Sequence, residues 1–492
     1  MIKPELSDFI ELAGEAGLVP ISREIIVDLD TPLTIFAKVA RGRRHAFLLE
    51  SLQGGEKWGR YSFIGIDPIA TFKSCGTGIR VVKDGAEEEY NGDPIEGLKR
   101  LIESFAACNT DYLPRFFGGA VGYMGYDMVR FMEKIPDNNP LFRDFPDSSF
   151  MVPKIVLIHD NIRQTIAIVN CISVHDKTAL AEKYEQAVAE ISDIIALLRG
   201  PLPEEIMHDG WRYPRHEFTS NMAEEAFKEM VLKAKEYIVA GDIIQVVLSQ
   251  RFHTETEMAP FSLYRALRHI NPSPYLFYLQ LDDVIQIGSS PEILVRLEGD
   301  DIEVRPIAGT RRRGATEEED IALENELLAD PKERAEHLML VDLGRNDVGR
   351  VARYGTVEAR DLLVIEKYSH VMHIVSGVHG KLAQGKDQFD VLKACFPAGT
   401  VSGAPKIRAM EIIEELEPER RGPYAGAVGY FGFSGNMDIC ITIRTFVMQG
   451  RNLWVQAGAG IVADSDPRLE YEETLNKARG LRRAVELVEK GF

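Results

Sequence analysis

Residues 24–170 alternate short apolar runs with turn residues. AFLLES (46–51) and SFIGIDPIATF (62–72) are bounded by Gly, Asp and Pro, and MVPKIVLIHD (151–160) and TIAIVNCISV (165–174) read as neighbouring strands. Apolar spacing becomes helical over about 176–199. GPLPEEIMHDGWRYPRHEF (200–218) then breaks the pattern with Pro, Gly and charge. It predicts a boundary, dividing the chain into residues 1–200, a linker at 201–218 and residues 219–492.

Beyond the linker, Asn221 is a plausible N-cap with Glu224 at N3. The helix it predicts runs to Gly241 with Ala223, Phe227, Met230, Ala234 and Ile238 on one face. Asp330-Pro331 with Glu333, and Asp466-Pro467, give two further helix starts of the cap-then-proline kind. Strands and helices alternate to the end, predicting an α+β fold. GAVGYMGYD (119–127) and GAVGYFGFS (426–434) agree at six of nine positions. Both read as glycine-bearing strands where backbones approach closely, a reading preferred to a duplication.

Composition narrows the class. The chain has 492 residues, 45% of them apolar and 27% charged, which suits a soluble globular protein of about three domains or two large ones. Lys plus Arg number 57 against 76 for Asp plus Glu, a net charge of −19 that argues against nucleic acid or an anionic membrane as partner. An anionic substrate would need a local positive site. Five cysteines form no CxxC pair, so neither a disulfide framework nor a zinc knuckle is expected. The N-terminus lacks the apolar core of a signal peptide, and no run of ~18 apolar residues could span a bilayer, so the cytoplasm is the default expectation.

Four segments hold polar residues that packing alone does not call for. Glu333 and Glu336 lie at i, i+3 on one helix; Glu470, Glu473 and Lys477 form a stripe on the last. Brought together, these faces would make an acidic pocket suited to Mg²⁺; apart, they are ordinary ion-paired surfaces. In MDICITIRTFV, period-two alternation predicts Cys440, Thr442, Arg444 and Phe446 on one face. Arg444 there needs a partner, either a ligand carboxylate or a structural salt bridge. AGAGIV (457–462) could let backbone N–H groups approach an anion, although most such glycines are turns. No GxxxxGK[ST], GxGxxG after a strand, GxSxG or HExxH motif occurs, so ATP, NAD and triad hydrolysis lose their usual support.

These segments, with GDIIQVVLSQRF (241–252), NPSPYLFYL (271–279), GSSPEILV (288–295), RPIAGTRRRG (305–314), DPKERAEHLMLVDLGRNDVGRV (330–351), KYSHVMHIVS (367–376), FPAGTVSGAPK (396–406) and AGAGIVADSDP (457–467), resemble the chorismate-utilising enzymes, and in particular the large subunit of their anthranilate-forming branch. LLES (48–51) and GRYSFIGIDP (59–68) extend the resemblance into the N-terminal half. It implies a two-layer β-sandwich core flanked by helices, with the active site between the layers and a smaller strand-rich N-terminal regulatory domain. The implied reaction is Mg²⁺-dependent amination of chorismate by ammonia with loss of pyruvate, giving anthranilate, the first step of tryptophan biosynthesis.

Two positions divide the family's chemistry. Members that add water resemble one another in carrying a Lys base at the position of Gln245, and an amide cannot deprotonate water at neutral pH. Aminodeoxychorismate synthases carry a nucleophilic Lys where this chain has Ala308. Both substitutions disfavour those activities, and the intact acidic set disfavours a silent tryptophan sensor or scaffold.

The resemblance also implies roles. Glu336 and Glu473 would be the Mg²⁺ ligands, with Glu333 nearby. Arg444, Tyr424, Lys477 and the backbone at Gly458, Ala459 and Gly460 would hold the substrate carboxylates, and Gly309 and Thr310 the ring or its carboxylate. Glu292 is the candidate general acid, and Gln245, Thr310 and His373 complete the catalytic set, although a lone histidine also serves structure. No cysteine lies in a glutaminase loop, so a separate glutamine amidotransferase subunit is expected to supply ammonia, in a heterotetramer of two synthase and two glutaminase chains. An L-tryptophan site is implied at Glu50, Ser51, Asn271, Pro272, Pro274, Tyr275, Leu276, Phe277 and Cys440, with Leu276 replacing the Met of enteric relatives. A carboxylate can pair with the effector's ammonium, and proline with an aromatic residue can wall its indole.

Overall fold

The computed structural model describes residues 1–52, 59–204, 213–368 and 371–491. Positions 205–212 of the expected linker and positions 369–370 of KYSHVMHIVS lie outside the described residues.

Two long strands organise the sheet. Tyr61–Cys75 and Ser148–Asp160 pair antiparallel from Tyr61 opposite Asp160 to Ser74 opposite Ser148, with a register shift between Pro68 and Ala70. A proline on each strand, Pro68 opposite Pro153, stands at that shift, where a missing N–H weakens the ladder. The pair therefore joins two runs, one starting from each strand. The first passes from Tyr61–Cys75 through His45–Glu50, Tyr275–Leu281, Val284–Ser290, Thr445–Gln449 and Asn452–Ile461 to Gln245–Glu255. The second passes from Ser148–Asp160 through Gly119–Met124, Ala427–Gly432, Met437–Ile441, Ile293–Glu298 and Asp301–Val304 to Val371–Lys381. Ile307–Arg312 shares one edge of Val371–Lys381, and Glu358–Lys367 takes the other. Phe63 and Tyr430, one from each run, have ring centroids 6.1 Å apart in the larger apolar cluster.

The two GAVGY segments pair with each other. Gly122 lies opposite Gly429 in the ladder between Gly119–Met124 and Ala427–Gly432. A Cβ on Gly122 would stand 2.0 Å from Ser149 O, and one on Gly429 2.1 Å from Asp438 O, so neither position tolerates a side chain. Strands from before residue 200 are thereby hydrogen-bonded to strands from after 219, here and between His45–Glu50 and Tyr275–Leu281.

Asp330 and Asp466 cap their helices as expected: Asp330 Oδ1 accepts from the N–H groups of Lys332 and Glu333, and Asp466 Oδ1 from those of Arg468 and Leu469. Three local expectations are corrected. Asn221 is not a cap; the helix is Glu224–Ala240 after Ala223, and the Asn221 side chain instead accepts from Arg251 N and donates to Glu419. The predicted 176–199 helix starts at Leu180. MDICITIRTFV is two strands, Met437–Ile441 and Thr445–Gln449, because the chain breaks at Arg444, whose φ of 52° is left-handed. Cys440 lines a cavity that Arg444 does not.

Candidate active site

Pro331–Gly349 packs on Val371–Lys381 and Ile307–Arg312, while Pro467–Lys490 packs on Asn452–Ile461. These placements bring the two acidic helix faces together. Burial holds the Glu336 carboxyl above the ordinary range, and the charges of Glu333 and Glu473 push the same way. Glu470 is raised by burial and by Glu473. Glu473 is paired with Lys477 at 2.6 Å, and Lys477 Nζ also donates to Gly458 O at 2.9 Å.

Gln245, at the start of Gln245–Glu255, donates from Nε2 to Glu336 Oε1 at 3.1 Å, and its buried Oε1 accepts no hydrogen bond among the described residues. Gly460 makes room for that amide, since a Cβ there would fall 2.5 Å from Gln245 Nε2; one on Gly458 would fall 2.8 Å from the Tyr424 hydroxyl. Ala459, between them, is buried. The ladder to Thr445–Gln449 ends at Val455, so the 456–461 edge facing away from Gln245–Glu255 has no ladder partner among the described residues.

Arg444 lies beside Tyr424 and Glu473, and its guanidinium makes no hydrogen bond or ion pair with the described residues. Burial works against its charge, a cost that an anionic ligand would offset. Burial pushes the Tyr424 phenol up to about 12, so it stays a hydrogen-bond donor at neutral pH.

On the other side, Gly309 sits at a bulge in Ile307–Arg312 with φ 75°, a conformation glycine adopts without strain. Its carbonyl accepts from His373 Nδ1 at 3.1 Å, and Thr310 Oγ1 is 3.0 Å from the same nitrogen. A carbonyl can only accept, so Nδ1 carries the proton and Nε2 keeps its lone pair. Burial lowers the His373 pKa, holding the ring neutral. Glu292 is buried on Gly288–Val295's turn into Ile293–Glu298, and burial pushes its carboxyl up to about 8, with Thr400 and Lys477 acting against the shift. The Thr400 hydroxyl stands beside it, buried, and favours the ionised carboxylate against the effect of burial. Thr400 was missed by sequence reasoning: FPAGTVSGAPK was noted, but no spacing signals which of its residues faces a carboxyl.

No group of three His, Cys, Asp or Glu side chains among the described residues forms a ready metal shell. Mg²⁺ needs none, because it is commonly held by one or two carboxylates with waters and substrate oxygens. Glu336 and Glu473, hard oxygen donors close enough that the Glu473 charge raises Glu336, fit that pattern.

The LLES and NPSPY segments meet in the sheet. Glu50 is opposite Leu276 and Leu49 opposite Phe277. A cavity of about 60 Å³ there is lined by Glu50, Ser51, Pro274, Tyr275, Leu276, Phe277 and Cys440, together with Arg115, Arg296 and Asp438, which sequence reasoning did not single out. Asn271 and Pro272 are not among its lining residues; Asn271 ends the Pro260–Ile270 helix and donates to Ser289 at 3.1 Å. Glu50 is already engaged, accepting from Tyr264 at 2.5 Å and from Arg268 at 3.1 and 3.2 Å.

Residues 45–483 match the chorismate binding enzyme family. The chain is 49% identical to anthranilate synthase component 1 of Aquifex aeolicus over 98% of both chains, and 47% identical to that of Acetivibrio thermocellus over 99% of both. The crystal structure of anthranilate synthase component I from Streptococcus pneumoniae superposes with a TM-score of 0.78 at 36% identity, covering 93% of this chain and 99% of that one. The menaquinone-specific isochorismate synthase of Escherichia coli shares the fold at a TM-score of 0.72, with 19% identity and 98% of each chain covered. With its acidic, glycine-edged pocket set inside this mixed helix-and-sheet frame, the chain belongs to the chorismate binding enzyme family.

Proposed function

We propose that the chain is the synthase component of an anthranilate synthase, converting chorismate and ammonia to anthranilate and pyruvate. The observation that carries this reading is the Gln245–Glu336 hydrogen bond. It fixes an amide at the nucleophile's side of the pocket, where a water-adding enzyme needs a base. Ammonia needs none, being a competent nucleophile as it arrives. The identity to component 1 proteins supports the same reading.

In this scheme Arg444, Tyr424, Lys477 and the 458–460 edge hold the substrate carboxylates, and Gly309 and Thr310 border the ring. Nitrogen bonds to ring carbon 2 while the C4 hydroxyl departs as water, taking the proton from Glu292, which burial keeps protonated at neutral pH. The added nitrogen, an ammonium after attack, gives up one proton to become the amine, and the proton on carbon 2 then leaves, with neutral His373 the candidate to accept it at Nε2. The enolpyruvyl C–O bond breaks, its methylene gains a proton to give pyruvate, and the ring becomes aromatic. Glu336 and Glu473 would hold Mg²⁺, with Glu333 and Glu470 alongside; the ion would neutralise the ring carboxylate.

The reading extends to regulation and assembly. Residues 1–200 would act as a regulatory unit beside a catalytic unit at 219–492, the two strand runs forming a two-layer core. L-Tryptophan would enter the cavity between Ser51 and Pro274–Phe277, its ammonium sharing Glu50 with Arg268, and bias the arrangement of the two units. A glutamine amidotransferase subunit would deliver ammonia in a two-plus-two heterotetramer in the cytoplasm. No described helix is long and apolar enough to cross a membrane.

The test is product identity. The purified chain, given chorismate, Mg²⁺ and ammonium at alkaline pH, should develop anthranilate fluorescence; isochorismate or 4-amino-4-deoxychorismate as product would refute the proposal.

A further inference from the structure

Arg311 stands where three carboxylates from two consecutive helices converge. Its Nε donates to Glu326 Oε1 at 2.9 Å, its Nη2 to Asp330 Oδ2 at 2.9 Å and its Nη1 to Glu333 Oε1 at 3.0 Å. Glu326 belongs to the Glu317–Ala329 helix, Asp330 caps the next helix with its other oxygen, and Glu333 lies one turn before Glu336. A planar guanidinium can meet three acceptors from fixed directions, which a lysine's single ammonium cannot do. Arg311 is also two residues beyond the Gly309 bulge, so it ties the strand of Gly309 and Thr310 to the first turn of the helix that carries Glu336. The second oxygen of Glu333 is left 3.2 Å from where a Cβ on Gly309 would stand.

We propose that Arg311 is a positioning residue: it sets Gly309 and Thr310 in register with Glu336 and compensates the Glu333 charge beside the cation pocket. The inference rests on the chorismate and Mg²⁺ reading above. Its two consequences run in opposite directions. Removing the guanidinium leaves uncompensated negative charge near the pocket, which strengthens binding of a divalent cation. It also slackens the strand that borders the substrate, which weakens chorismate binding. Mere loss of structure would weaken both.

The experiment uses the full chain with Arg311→Met, checked for an unchanged thermal unfolding transition. Mg²⁺ titrated calorimetrically without substrate should bind about threefold more tightly, while the KM for chorismate rises about tenfold and kcat changes less. Adding Glu333→Gln should return the Mg²⁺ affinity toward wild type without restoring KM. Arg311→Lys, which keeps the charge and loses the fork, should restore Mg²⁺ affinity alone. Mg²⁺ affinity unchanged or weakened in a folded Arg311→Met chain overturns the proposal; if that variant does not fold, a wild-type KM in Arg311→Lys overturns it. A wild-type chain that binds no Mg²⁺ would instead overturn the metal reading on which the proposal stands.

Discussion

Gln245 Nε2 lies 3.1 Å from Glu336 Oε1, joining the first residue of the Gln245–Glu255 strand to a half-buried carboxylate on the Pro331–Gly349 helix. That carboxylate is held above the ordinary range by burial and by its acidic neighbours, a cost that a bound cation would relieve. Glu336→Gln should therefore abolish Mg²⁺-dependent turnover and leave the circular dichroism spectrum and unfolding temperature close to wild type. Full activity in the variant would remove Glu336 from the metal site.

Glu292 acts as an acid only while protonated. With its carboxyl at about 8, kcat should be level below that pH and fall as pH rises through it, since the ionised form has no proton to give. Glu292→Gln should lower kcat roughly 10²- to 10⁴-fold and erase that alkaline limb. A limb that survives in the variant would belong to another group.

Arg444 is a half-buried cation beside Tyr424 and Glu473 whose guanidinium makes no hydrogen bond or ion pair among the described residues. Charge-assisted hydrogen bonds are worth about 1.5–3 kcal/mol, so Arg444→Ala should raise the KM for chorismate roughly tenfold to a hundredfold. Steady-state kinetics showing an unchanged KM would contradict its role as a carboxylate holder.

Ser51→Ala alters one residue of the cavity beside Pro274–Phe277 and none of the residues given a catalytic or metal-binding part. Inhibition curves should show a higher L-tryptophan concentration at half-inhibition, with uninhibited kcat preserved; an unshifted curve would place the effector elsewhere.

Gly429→Ala puts a methyl carbon about where Asp438 O already stands, 2.1 Å away. Backbone must move, and the cost should be about 3 kcal/mol in urea unfolding. A loss under about 0.5 kcal/mol, the ordinary range for neutral surface changes, would show that the ladder is looser than it looks.

Local rules were legible in the sequence. The caps at Asp330 and Asp466 depend on a side chain and the two or three residues after it, so the chain's own order sets them. Strand positions such as His45–Glu50 and Ser148–Asp160 follow from apolar runs ended by turn residues. Where a tertiary partner intervened, the local rule failed. Asn221 spends its side chain on Arg251 and Glu419 instead of a helix end, and Arg444 leaves strand geometry, sending its side chain away from the cavity that Cys440 lines.

By itself the sequence determined which residues could do chemistry: acids at helical spacing, an amide at Gln245, alanine at 308, glycines at 458 and 460. Only the tertiary structure decided which of them meet. Glu336 and Glu473 are 137 residues apart in the chain, and the Glu473 charge raises Glu336 because two helices, packed on strands of different runs, bring their acidic faces together. Glu292 has its carboxyl raised to about 8, and Glu50 pairs with Arg268, through burial and neighbours contributed by distant segments. Electrostatic shifts depend on distance and solvent exclusion through space, and neither quantity is written in the order of residues along a chain.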